Sequence, residues 1–254
     1  MDVTVHSGPP VDVEAELDAL AARYRGASGL GIELLNMIGG SAENVLDRLP
    51  KPVRAGLQDA TTAALTQAMK AASSSRGVVA DQKSWLNSAV GAAMGAVGGM
   101  GGLPTALAEL PVTTTLLLRV IQGVAAEEGF DPESESVQFD CITVFASAGP
   151  LKEDDGADLA FLSTRIALSG HAVRGIVARV APRLATVLGQ KLAAQTVPVL
   201  GAVAGAATNY AYTSYYQEVA HVHFGLRRLA IEADVPLDEL AEKLRRRISK
   251  RALA

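Results

Sequence analysis

The chain has 254 residues, enough to bury a full core in one large domain or in two. A formal net charge of −4 gives no overall nucleic-acid footprint, and a single cysteine, Cys141, excludes a disulfide scaffold or a cysteine-based zinc site within one chain. Alanine dominates, aromatics make up only 4%, and alternating Val/Ile/Thr runs are almost absent, so an all-α fold is predicted.

Residues 1 to 10 read as a flexible lead ending in Pro9-Pro10. They carry neither a basic n-region nor an apolar h-region, so a secretory signal is not expected and the protein is placed in the cytoplasm. Asp12 is placed to N-cap a helix that runs to about Arg25. Gly26 to Gly31 reads as a loop, and a second helix is predicted from near Leu30 to Leu49. Pro52 opens a third, reaching Ala72, with Ser73 to Gly77 as a linker.

Ser84 to Arg119 is the stretch around which the chain is organised. It has no charged side chain as far as Ala108, and Gly91, Gly95, Gly99 and Gly102 share one helical face. Glycine costs about 1 kcal/mol relative to alanine in a helix. Such a face is tolerable where a second helix presses on it, either in a dense core or as a hairpin inserted in a membrane. No Walker lysine and no dinucleotide-binding glycine pattern accompanies these glycines, and no cofactor is expected. Gly102-Leu103-Pro104 is read as the end of that helix. Pro111 is read as the start of another that reaches Glu128 and is apolar nearly all round. Glu109 and Arg119 interrupt this region, and burial would require a partner for each; Asp140 is the acid best placed for Arg119.

Asp131-Pro132-Glu133 signals the start of a helix running to about Ala148. The acidic run from Lys152 to Asp158 lacks EF-hand spacing and reads as a solvated loop. Leu159 to Leu192 is a basic amphipathic helical pattern, suited either to solvent or to an anionic membrane. Leu192 to Gln217 is the second charge-free run, with Gly201 and Gly205 on one face and Tyr210, Tyr212, Tyr215 and Tyr216 following. Tyrosines so placed suit an interfacial belt or a core edge. The expected architecture is therefore a single compact multi-helix domain whose core packs two glycine-lined apolar hairpins.

His221 and His223 are two residues apart and face different directions on a helix, which makes a poor metal pair, and no metal site is expected. His223 and Arg227 share a face. Pro236 starts a last amphipathic helix, with acids early and Arg245, Arg246, Arg247, Lys250 and Arg251 late. Its basic end fits an anionic bilayer or plain solvent.

The run GGLPTALAELPVTTTLLLRVIQGVAAEEGFDPES, then CITVFASAG, then KLAAQTVPVLGAVAGAATNYAYTSYYQEVAHVHFGLRRL resembles the EcsC protein family. The resemblance is strongest over residues 80–232. It divides the chain into an N-terminal lead and helix (1–25), an EcsC-like helical domain (26–232) and a basic C-terminal helix (233–254). The family has no established biochemical activity. The member that named it is encoded beside the two components of an ABC transporter, so the resemblance implies a membrane-linked setting.

No catalytic residues are assigned, because no nucleophile–base pair stands at a recognised spacing. Three functions are compatible with the sequence. The first is a non-enzymatic accessory protein, peripheral at the inner face of the cell membrane, engaging lipid or transporter components. The second is a helical domain binding an apolar small molecule, with Glu109, Thr113, Thr114, Thr115, Arg119, Asn209, His223 and Arg227 as polar anchors. The third is an enzyme whose site is assembled in space from Glu109, Arg119 and His223.

Overall fold

The computed structural model describes residues 11–38, 49–76, 102–145, 181, 185 and 201–252. In chain order these form α1 (Val13–Ile38), α2 (Lys51–Arg76), α3 (Gly102–Glu127), α4 (Glu135–Phe145), α5 (Gly201–Glu232) and α6 (Leu237–Ala252). No strand occurs among the described residues, and the chain is all-α.

The hub is α5. Helices α1, α3, α4 and α6 all pack on it, and α2 packs on α3. From Ala211 to Leu226 only Ser214 and Glu218 escape full burial, as a helix enclosed on all sides requires. The tyrosines sit in this core rather than forming a belt. Tyr212, Tyr215 and Tyr216 are buried, with Phe145 edge-on to Tyr216 at 5.1 Å; Tyr210 alone is exposed. Burial pushes the Tyr212 phenol far above its ordinary value, and the neighbouring Tyr215 adds to the shift.

Helix α1 buries Leu17, Leu20, Ala21, Tyr24 and Ala27, a stripe at helical spacing. It runs antiparallel to α5, with Glu16 beside Arg228, Leu20 beside Gly225 and Arg23 beside Glu218. Asp12 caps it as expected, accepting from the amides of Glu14 and Ala15 at 3.1 Å. The loop expected from Gly26 to Gly31 does not form, and α1 continues through it. Ala27 is fully buried there, so tertiary packing outweighs the glycine cost.

The serine-rich linker is likewise helical, and α2 extends to Arg76. Helix α3 begins at Gly102, where the sequence suggested an end, and passes unbroken through Pro111. Pro104 falls in the first turn, where a missing amide costs nothing. Pro111 is interior and removes a helical hydrogen bond; the buried Leu117, Leu118, Ile121 and Val124 that follow on α3 offset this. The start of α4 also moves. Asp131 makes an Asx turn to the Glu133 amide at 2.9 Å, while Ser134 Oγ accepts from the Val137 amide and caps the helix three residues later than Asp131 would.

Helices α3 and α5 end alike. The amide of Phe130 bonds the Ala125 carbonyl past Gly129 (φ 87°), and that of Val235 bonds the Ala230 carbonyl past Asp234 (φ 51°). Both are Schellman closures with a left-handed residue at the turn. Helix α6 then buries Leu240, Ala241, Leu244 and Ile248 against α1 and α5.

Gly91, Gly95 and Gly99 lie outside the described residues, as do residues 152–180 of the acidic and amphipathic segments; Ala181 and Ala185 are helical and buried. Gly102, Gly201 and Gly205 are helical. The close approach resolved at a glycine is at Gly225, where an added Cβ would stand 2.9 Å from Leu20 Cδ2.

Glycines with and without space should therefore respond in opposite directions. A Cβ at Gly26 or Gly29 meets nothing within 4 Å. Gly26→Ala and Gly29→Ala should each stabilise by about 0.5–1 kcal/mol. Thermal denaturation should show this as a Tm rise of about 2 °C each. Gly225→Val should lower stability by about 1–3 kcal/mol through overpacking against α1. A melting temperature unchanged by Gly225→Val would show that α1 does not press on α5 there.

Candidate functional site

The second half of α5, from Glu218 to Arg228, carries five side chains that meet charged partners on other helices or on the α3–α4 turn. Residues 221 and 223 are 200° apart on a helix, so their side chains leave on opposite faces. Residue 228 returns to the face of 221, and 227 to that of 223. The helix thus presents two polar stripes.

One stripe meets the end of α3. His221 Nδ1 is 2.9 Å from Glu128 Oε1, and its Nε2 is 3.6 Å from Glu127 Oε2. Arg228 Nε lies 3.3 Å from Glu128 Oε2, and Arg228 also faces Glu16 of α1 at 4.0 Å. Burial alone would raise the Glu128 carboxyl. The hydrogen bond from His221 and the charges of Arg228, His221 and Arg23 outweigh that and hold it below the ordinary glutamate value.

The other stripe meets α4. Arg227 Nη1 donates to Asp140 Oδ2 at 2.5 Å, and His223 Nε2 lies 3.6 Å from the same oxygen. The Arg227 guanidinium also sits 4.6 Å above the Phe130 ring, which packs against Phe224 at 5.6 Å. A guanidinium so placed is held by charge, hydrogen bond and cation–π contact together.

Of the anchors expected from the sequence, the structure brings His223 and Arg227 together at Asp140. Thr113 and Thr114 are buried on α3, Thr115 and Arg119 are half-buried there, and Asn209 is buried on α5. They do not join the cluster. Asn209 is fourteen residues from His223, about 21 Å along the axis, and Arg119 is nine from Glu128, about 13 Å. Glu109 lies on α3, but its side chain is outside those described. Asp140, the acid offered to Arg119, is engaged by Arg227 and His223, while Arg119 has an interaction of its own.

Sequence reasoning missed Glu127 and Glu128, set His221 aside as half of a poor metal pair, and did not count Arg228 among the anchors. A readable signal was present: two adjacent acids before a helix-ending glycine, and a His-x-His followed by Arg-Arg on a helix that must be buried. The cluster's charges satisfy one another, so its chemistry is that of a clasp between helices. Among the described residues no group of three or more His, Cys, Asp or Glu could hold a metal ion.

Two measurements check the clasp. Asp140→Ala leaves the Arg227 guanidinium, only 27% exposed, without its carboxylate. It should destabilise by about 1.5–3 kcal/mol in a denaturant titration. Glu128 has a folded value below 4.5, so its contribution is complete above that pH and is lost as pH falls through the folded value. Glu128→Gln should therefore be less stable than wild type at neutral pH, with the difference shrinking in acid. A constant difference from neutral pH to below the carboxylate range would refute that role.

No curated protein and no solved structure matches the chain. The model of the EcsC protein family matches residues 36–229, a span that includes α2 to α4 and α5 as far as the clasp residues Arg227 and Arg228. On that match over most of its length, the chain belongs to the EcsC protein family.

Proposed function

We propose that the chain works as a non-enzymatic helical accessory protein at the cytoplasmic face of a membrane, engaging lipid or the components of a transporter. The observation that carries this reading is the segregation of charge along α5. Gly201 to Gln217 has no charged side chain, whereas five residues from Glu218 to Arg228 are pinned in ion pairs. Helix α3 follows the same plan, with Glu109 the sole charge before Arg119. Among the described side chains, Val112 on α3 and Tyr210 on α5 are large apolar groups exposed in the charge-poor halves. A tyrosine with an apolar body and a polar tip suits the headgroup level of a bilayer. Among the described residues no helix is long and apolar enough to cross a membrane, so the reading is one of surface attachment. The transporter component of the proposal follows from the setting of the family's naming member.

Fractionation with salt and carbonate washes, together with vesicle flotation at low salt, tests this. The protein should float with vesicles and be released by carbonate. Tyr210→Asp should weaken binding about tenfold, the effect of losing roughly 1.4 kcal/mol of apolar transfer. Quantitative recovery in the soluble fraction with no vesicle binding at low salt would end the proposal.

A second reading, an apolar small-molecule site between helices, is favoured by two buried hydroxyls. Thr114 Oγ1 on α3 and Thr208 Oγ1 on α5 are fully buried and have no hydrogen-bond partner among the described residues. Such a group costs about 1–3 kcal/mol, which a bound polar headgroup would relieve. Native mass spectrometry of the purified protein should then show a co-purified adduct that Thr114→Val diminishes; a bare chain mass would count against it.

A further inference from the structure

The last helix, α6, combines the two faces that an interfacial helix needs, and the fold occupies both. Its apolar face, Leu240, Ala241, Leu244 and Ile248, is buried against α1 and α5. Three of its arginines are engaged by acids within the protein. Arg245 and Arg246 both bond Glu242, at 2.6 and 3.0 Å. Arg247 reaches across to α1, where its Nε donates to Asp18 Oδ1 at 3.0 Å and its Nη2 to Glu14, while its Nη1 caps the Lys243 carbonyl at 3.2 Å. All three guanidinium nitrogens are thus used, and Arg247 is 21% exposed.

The acids that hold Arg247 are the exposed partners, at 66% for Glu14 and 74% for Asp18. Ion pairs open to solvent are weak and are screened by salt. A surface dense in phosphate offers Arg247 oxygen acceptors in place of the two carboxylates, each of which now takes one of its nitrogens. It offers Arg245 and Arg246 a partner as well, and the acyl region would receive the same leucines that α1 and α5 now cover. The link between α5 and α6 is short, Ala233 to Pro236, and turns at Asp234 in the left-handed region.

We propose that α6 is an anionic-bilayer-binding helix held in reserve, docked on α1 by the Arg247–Glu14–Asp18 clasp and released when phosphatidylglycerol-type headgroups replace those carboxylates. The proposal rests on the surface-attachment reading and adds to it the element that makes the contact and what holds it back.

Two variants test it on phosphatidylglycerol vesicles by flotation at low salt, with circular dichroism melts to confirm folding. In the first, Asp18→Cys with Arg247→Cys are joined by a short bismaleimide, and the linked and unlinked forms of the same chain are compared. Cys141 is buried and should stay unlabelled. The linked form should bind at least tenfold less than the unlinked form. In the second, Glu14→Gln with Asp18→Asn opens the clasp without adding a base. It should bind severalfold better than wild type, and better than a charge-matched control, Asp59→Asn with Glu135→Gln. Equal binding by linked and unlinked forms would overturn the release of α6 while leaving surface attachment intact. Binding by neither form would overturn both.

Discussion

A carboxylate at the carbonyl end of a helix is the constraint on which the arrangement of α1, α3 and α5 depends. Glu127 and Glu128 close α3, where the helix dipole already presents negative charge. The Schellman turn at Gly129 satisfies carbonyls there but does nothing for the carboxylates. The Glu128 side chain is 13% exposed, too little for water to carry its charge, so partners must come from neighbouring helices. They come from α5, two turns apart, as a hydrogen bond from His221 and the charge of Arg228, and Arg228 passes the contact on to Glu16 of α1. Apolar burial drives these helices together but is non-directional. The ion pairs are directional, so they select the register in which the apolar stripes meet.

The same solution recurs on the opposite face of α5, and this accounts for the spacing of its histidines. A helix buried along most of its surface leaves its charges little access to water, so each charged turn finds an oppositely charged partner on whichever neighbour it meets. His221 and Arg228 find the end of α3, while His223 and Arg227 find Asp140 of α4. Gly225 lies between the two stripes and lets Leu20 of α1 approach. The segment from His221 to Arg228 therefore reads as a fastening for four helices.

How far this could be read from the sequence follows from the range of each effect. Local chemistry was legible: the Asp12 cap, the helix-ending Gly129 and the opening of α6 after Pro236 all depend on neighbours a few residues away. Breakers misled wherever burial overrode them. Gly26 and Gly29 lie within α1 because Tyr24 and Ala27 are buried around them, and Pro111 lies within α3 because the turns that follow it are core. At α4 two residues compete to cap one helix, and sequence order favoured Asp131 whereas the geometry uses Ser134. The pairing of Asp140 was out of reach for another reason. Its partners lie 83 and 87 positions away on α5, and nothing in the intervening sequence states which arginine will arrive.

Charge is distributed along the hub so that one half is fastened and the other is bare, and this bears on what such a domain can do. A helix whose far half is pinned on two faces cannot slide or rotate to hide the apolar surface of its near half. Tyr210 and Val112 are exposed in the charge-poor parts of α5 and α3, while Glu128 and Asp140 are held by their partners on the other half of α5. Helix α6 shows the contrasting design. Its clasp to α1 is made with exposed acids at the surface, so the ionic part of its docking is open to solvent and to salt, while its buried leucines supply the rest. The two kinds of fastening differ in what salt can reach: Glu128 and Asp140 in the frame are 13% and 16% exposed, whereas the acids that clasp α6 stand in solvent.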